Sequence, residues 1–524
     1  MAIKIEYNGY HLEFDRFPTP QQIHDAYEAL RSRIRERLLG REATSIPRVP
    51  EGSTLPLSFA QEWLWILDQL VPGSPVYNLP AAVRLNGDLN IPAFTRSITE
   101  LVRRHEILRT SFPSIDGKPA QVIAPPAPIA LPVVDLSLLR EGEREAEALR
   151  LAAKEAATAF DLANGPLIRT GLLKLGPQDH VILLTVHHIV SDAWSTGIII
   201  REIATLYEAF SLNRVSPLPE LPIQYADYAS WQREQLSGDS LDSLISYWKG
   251  RMKGAPSLLN LPTDRPRPAA QSFRGARLPF SFSRSLLESL KALARREEVT
   301  LFMLLLAAFQ TLLYRYTGRD DIVVGSPMAG RSHPDTEPLI GCFINSLALR
   351  TDLSGNPRFD GLLTRVRTMT LGAYAHQQLP FEKLVELLQP ERNLNHAPIY
   401  QVLFNMMNAP MSTIELPGLT MSPLASDIGT AKMDLVIDVW EGDDGLIGLV
   451  EYSTALFDSS TIKQLLGHFE ALLLSIVNTP EARLNSLEYL TEFEIHKRAA
   501  EEAAREAAHR SIFKAARPKA IRIS

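Results

Sequence analysis

The residues best suited to chemistry in this chain are two adjacent histidines followed closely by an aspartate, in His187-His188-Ile189-Val190-Ser191-Asp192-Ala193. Imidazole titrates near neutrality, so a positioned histidine can take a proton, give one, or hold a substrate by a hydrogen bond. The preceding run Val181-Ile182-Leu183-Leu184-Thr185-Val186 predicts a strand, and adjacent strand residues point to opposite faces. The two rings should therefore not address one bound atom. That spacing disfavours a metal, which calls for alternate strand positions or one helical turn between ligands. It favours a division of labour in which one ring faces a cleft and the other is held by the structure. On these residues alone, a plainer reading as two satisfied polar side chains at a strand end stays open. Asp192 could cap the following helix or pair with an arginine to brace the loop.

Other catalytic patterns are missing. There is no Gly-x-Ser-x-Gly elbow, no phosphate-binding Gly-x-x-x-x-Gly-Lys-Ser/Thr and no Gly-x-Gly-x-x-Gly after a strand. An enzyme here would work by positioned acid-base groups without a bound cofactor or metal. The single cysteine, Cys342, excludes an internal disulfide and a cysteine-based zinc cluster. With Ile340, Gly341 and Phe343 around it, it reads as a buried thiol at a packed strand end.

Several elements must position these groups. Ile199, Ile203, Leu206 and Phe210 recur at helical spacing after the histidines, giving a strand, a turn and a helix amino terminus. Leu286, Leu290, Leu293 and Ala294 form one helical face, and Leu301 to Tyr314 is apolar almost all round, which predicts a buried helix. Asp321 to Gly325 then reads as a short buried strand. Pro113 to Pro132 and Pro256 to Pro268 read as loops. At the start, Ile3, Ile5, Tyr7 and Tyr10, Leu12, Phe14 alternate around Asn8-Gly9, which predicts a hairpin pairing Tyr7 with Tyr10, Ile5 with Leu12 and Ile3 with Phe14. Thr19-Pro20 opens a helix through Ile34. Such a unit is too small for a secure core, so it either docks on the body or binds a partner. Ile495 to Ala516, rich in Ala, Glu, Arg and Lys, reads as a solvated helix or linker.

The 524 residues, 45% hydrophobic and 22% charged, suit a globular chain of two or three domains. A formal charge of -6 offers no bulk attraction to nucleic acid or anionic lipid. The longest apolar run, Leu301 to Phe309, is about half of the ~20 residues needed to span a bilayer, and the start lacks a signal-peptide core. A cytoplasmic, monomeric protein is expected, with no nucleic-acid or membrane partner.

His187 to Ala193 resembles the HHxxxDG motif of condensation domains from nonribosomal peptide synthetases, with Ala193 in place of the usual Gly. Six more segments are similar to that family's motifs in its order. Ser58 to Trp65 resembles SxAQxRLW, Arg104 to Phe112 RHExLRTxF, and Tyr225 to Trp231 YxDYAxW. Ile340 to Ser346 resembles IGxFVNT, His376 to Glu382 HQDxPFE, and Asn393 to Phe404 is a degenerate RxxSRxPLFQVMF. The loop Leu261 to Pro268 also looks typical, and the resemblance spans roughly residues 53 to 490.

The resemblance implies an α/β fold of two chloramphenicol-acetyltransferase-like lobes in a V, residues 53–234 and 235–490, with a helical tail or linker at 491–524. Two carrier proteins would deliver phosphopantetheine thioesters into a tunnel, where a donor acyl group passes to the amine of an acceptor. His188 would be catalytic. His187, Asp192 and Ala193 would support the motif, with Asp192 salt-bridged to Arg331 or, as second choice, Arg350. Residues 1–45 resemble β-hairpin docking domains that receive a short carboxy-terminal motif of an upstream carrier protein. The starting methionine and this unit favour a natural amino terminus, and no adenylation, thioesterase or carrier segment is present, so substrates would arrive in trans unless the chain was cut from a larger synthetase. Trp63 for Arg and Asn395-His396 for Ser-Arg depart from the family without touching His188. The rival readings are an ester-forming enzyme with an alcohol acceptor and a non-catalytic platform that recruits a tailoring enzyme.

Overall fold

The computed structural model describes residues 3–7, 10–14, 45–389, 393, 395–407, 418–424 and 429–515. It divides into two compact units, residues 1–49 and 50–524. In the first, the strands Ile3–Tyr7 and Tyr10–Phe14 pair antiparallel, with Tyr7 opposite Tyr10, Ile5 opposite Leu12 and Ile3 opposite Phe14. The expected Asn8-Gly9 turn and the helix from Thr19 to Ile34 lie outside the described residues.

Two sheets organise the second unit. One has five strands in the order Leu419–Pro423, Asn78–Gly87, Asp179–His187, Ile168–Gly176 and Val133–Asp135. Its central strand, Asp179–His187, is apolar on both sides because both faces of the sheet are covered. Ile182 joins Leu85, Phe94, Ile98, Leu206 and Phe210 in one cluster, which draws in the helices Ile91–Arg104 and Ala193–Ser211. Val181 and Leu183 join Ala148 and Ala152 of the helix Glu141–Ala156 in another.

The second sheet has six strands, in the order Gly275–Ser283, Gly445–Ser453, Leu435–Gly442, Val402–Met406, Asp321–Met328 and Asn345–Asp352. The helix Leu301–Thr317 packs in its core, with every residue from Phe302 to Leu313 buried. Thr300 caps that helix by accepting from the Met303 N–H, and Gly318 ends it in the left-handed region at φ 68°. Among the described residues no single helix is long and apolar enough to cross a membrane.

One strand crosses the expected boundary at residue 235. Leu419–Pro423 belongs by sequence to the second lobe but pairs antiparallel with Asn78–Gly87 at the edge of the first sheet. The segment expected as a loop from Pro113 to Pro132 also carries short ladders. Ser114–Ile115 pairs with Lys118–Pro119, and Val122–Ile123 pairs with Thr110–Ser111. The expected tail begins as the helix Glu492–Ala515, whose first turn is tied down where His468 Nε2 lies 2.7 Å from Glu494 Oε2.

Candidate active site

The strand Asp179–His187 ends at the histidine pair, and His188–Val190 turns as a single 3₁₀ turn. The His188 backbone N–H donates to the Tyr77 carbonyl at 2.9 Å, which fixes the chain where the ladder ends. His187 is 4% exposed, packed edge-on against Tyr77 and Phe160, and its Nδ1 accepts from the Ile189 N–H at 3.2 Å. His188 keeps part of its surface open. Its Nδ1 is turned towards the Cys342 thiol, 3.8 Å away.

Burial pushes both imidazoles down to about 3, and the positive charge of Lys432 adds to the effect at each. The backbone polar groups of His188 and Ser191 oppose that shift. Both rings are therefore neutral near pH 7. A neutral His188 has one nitrogen free to accept a proton, and in the tautomer whose ring hydrogen sits on Nδ1, facing Cys342 Sγ, that nitrogen is Nε2.

Asp192 acts as a cap and an ion-pair partner at once. Its Oδ1 accepts from the Ser195 N–H at 2.7 Å, capping Ala193–Ser211, and stands 3.3 Å from Arg331 Nη2. Its Oδ2 accepts from the Phe343 N–H at 3.0 Å. Both members of the ion pair are 3% exposed in their side chains. Arg331 also donates to Ser195 Oγ, to the Thr336 carbonyl and to the Leu339 carbonyl, and its guanidinium lies 3.9 Å from the Phe343 ring centroid. Arg350 is engaged elsewhere, with Asp321 at 2.7 Å. Ala193 is exposed as the first residue of its helix and lacks a positive φ, so the position does not demand glycine. Its N–H is one of the donors that a helix leaves without an intrahelical acceptor.

The other sequence motifs hold this centre from several sides. Ser58 and Gln61 form a capping box, and Gln61 Nε2 also donates to the Ile189 carbonyl at 3.2 Å. Arg104 and His105 both reach Glu202 on the helix after the histidines, at 3.1 and 3.0 Å. Tyr225 joins Ser58 Oγ to the Cys342 carbonyl. Gly341 is required by close approach, because a Cβ there would fall 1.9 Å from Tyr225 Cδ2. Asn345 donates to the Gln377 and Leu379 carbonyls and accepts from the Phe381 N–H, anchoring the helix Phe381–Leu388.

Two charged groups near this centre were not singled out by the sequence. Glu382 lies at the start of Phe381–Leu388 with no ion pair among the described residues, and burial pushes its carboxyl up to about 7. Lys432 likewise makes no ion pair there. Its ammonium sits 5.4 Å from the Tyr77 ring centroid and is held below its usual range by burial. Both are far along the chain from His188, so no local spacing could have marked them, although Glu382 falls inside a family-like motif. Among the described residues no group of three or more His, Cys, Asp or Glu could hold a metal ion.

The fold that surrounds this centre is a pair of chloramphenicol-acetyltransferase-like lobes. The family model of the Condensation domain matches residues 51–497, and the chain belongs to that family. It is 48% identical over 462 residues to one of the linear gramicidin synthase proteins of Brevibacillus parabrevis, covering 87% of this chain and 6% of that protein. The chain thus spans a small part of that relative's length. Among solved structures, the X-domain in its complex with OxyB from teicoplanin biosynthesis matches with a TM-score of 0.77 at 29% identity, over 86% of this chain and 98% of that one. The SgcC5 protein of Streptomyces globisporus matches at 0.68 and 31%, over 82% and 100%.

Proposed function

We propose that this chain moves an acyl or peptidyl group from the phosphopantetheine thioester of a donor carrier protein to the amine of a carrier-bound acceptor, forming an amide in nonribosomal peptide or hybrid polyketide biosynthesis. The observation that carries this reading is His188. Its ring is held neutral and partly open, with Nδ1 directed into the protein and Nε2 left for a substrate. The amine nitrogen attacks the thioester carbonyl, and a C–N bond forms as the C–S bond breaks. His188 Nε2 holds the amine in line, takes its proton and passes it to the departing thiolate. Thioesters are already activated, so proximity and one imidazole suffice without a covalent enzyme intermediate or cofactor. The Ala193 N–H is a fitting donor for the developing oxyanion. His187, Asp192 and Arg331 position the turn that carries His188.

The test is mass spectrometry of product from a loaded donor carrier and acceptor, with wild type and His188→Ala compared. Loss of general acid-base help should slow the reaction by roughly 10²- to 10⁴-fold. Equal product from the two proteins would sink the catalytic assignment. It would favour a second reading, a non-catalytic recruitment platform, which draws support from the likeness to an X-domain solved in complex with OxyB.

The hairpin strands Ile3–Tyr7 and Tyr10–Phe14 pair with each other in a sheet of two. That is consistent with residues 1–45 receiving a short carboxy-terminal motif of an upstream carrier protein by strand addition.

A further inference from the structure

His187, the histidine left without a chemical role above, lines a cleft that His188 does not. The cleft has a volume of about 30 Å³ and is walled by Leu64, Leu67, Val71, Tyr77, His187 and Phe273. Val71 is 44% exposed, so that end meets solvent, while the 4% exposed His187 lies at the buried end. Because His187 Nδ1 accepts from the Ile189 N–H, the single hydrogen of the neutral ring must sit on Nε2. No acceptor among the described residues meets that N–H. That N–H opens onto a cleft with room for a group of two or three heavy atoms, so an acceptor brought in by a ligand can reach it.

The remaining wall limits what fits. Apart from Ser74 and Asp68 its side chains are largely apolar and favour a group that brings some carbon with it. The Asp68 carboxyl lines the same cleft, its pKa raised by burial and then by the neighbouring Asp161, so an anionic group would be repelled. Asp68 would attract a cation, but the His187 N–H can only donate and so cannot meet an ammonium, and the Lys432 ammonium beside the Tyr77 ring opposes a second positive charge. We propose that this cleft is a side-chain pocket for the substrate, taking a short neutral group with one hydrogen-bond acceptor, of the hydroxyl or carboxamide class, whose oxygen meets His187 Nε2–H. The inference rests on the carrier-dependent reading given above. It also links recognition to catalysis, because Tyr77 walls the cleft and its carbonyl holds the His188 backbone.

The test uses N-acetylcysteamine thioesters of glycine, threonine, asparagine, leucine, aspartate and lysine, offered separately as donors and as acceptors to the full chain, with wild type and Val71→Trp compared. In one of the two roles, wild type should favour threonine or asparagine over leucine, aspartate and lysine by about tenfold or more in kcat/KM. Val71→Trp, which fills the mouth, should reduce that preference to about twofold or less while still turning over the glycine thioester. Absence of the preference in wild type, or its persistence in Val71→Trp, overturns the pocket. If no thioester yields product with wild type, the reading of function fails and calorimetric binding decides the pocket on its own. Tighter binding of N-acetylthreonine amide than of N-acetylleucine amide, lost in Val71→Trp, supports it, and equal binding overturns it.

Discussion

Asp192 shows how one side chain can hold together the turn that carries His188. Its carboxylate serves a helix cap, the Phe343 N–H and the Arg331 guanidinium in a buried site. Removing one member of a buried pair leaves the other charged and uncompensated, which costs about 3–5 kcal/mol. Asp192→Ala should therefore lower unfolding stability by that order in urea titrations as well as abolish activity. Normal stability with lost activity would instead assign Asp192 a direct chemical part. The histidine pair makes a second prediction. Both folded-state values lie near 3, below the ordinary 6.5, so the unfolded chain takes up protons first as pH falls. Stability is full above about pH 6.5 and falls towards pH 3, with each group adding a slope of up to about 1.4 kcal/mol per pH unit. His187→Gln should flatten the wild-type slope between pH 6 and 4 in denaturant titrations, and parallel slopes would contradict this. At this scale the sequence was most legible where chemistry is local. The His-His-Asp run could be read directly, whereas Lys432 and Glu382 reach the centre only through folding.

Helices and strands with strong periodicity were legible for a related reason. Leu301–Thr317 is apolar round its circumference because it is buried round its circumference, and Val181 to Val186 is apolar on both faces because helices cover both. The ladders between Thr110 and Ile123 were not legible, since two-residue strands carry no periodic signal and prolines suggested a loop. Leu419–Pro423 carries no such signal either, being five residues long with a partner in the other half of the sequence. At the amino terminus, alternation and Asn-Gly predicted a hairpin, and the described strands show that register. If this element receives a carrier motif, deleting residues 1–40 should raise the apparent KM for the donor carrier while leaving turnover of a small thioester unchanged. An unchanged KM would remove the docking role.

On the scale of the whole molecule, the two sheets are joined across the site by contacts that no single lobe can supply. Arg331 and Phe343 come from the second half, Asp192 and Ser195 from the first, and Phe273 walls the cleft beside His187. The family-like motifs, scattered from Ser58 to Phe404, are legible as a set because so many of them meet around one turn. How the halves interlock was not legible, because a linear boundary cannot express a strand donated from one half to the other.

The donated strand Leu419–Pro423 sets a rule for recombination. A chimaera joined near residue 235 would give the incoming first lobe an edge strand chosen for a different neighbour. Its Leu419 would meet a foreign packing surface where it now lies 7% exposed beside Leu85 and Phe94. Exchanging residues 53–234 together with 418–424 should yield more soluble protein than exchanging 53–234 alone, measured by the monomeric fraction on size exclusion. The inheritable module is thus discontinuous in the gene, and its second piece is only a few codons long.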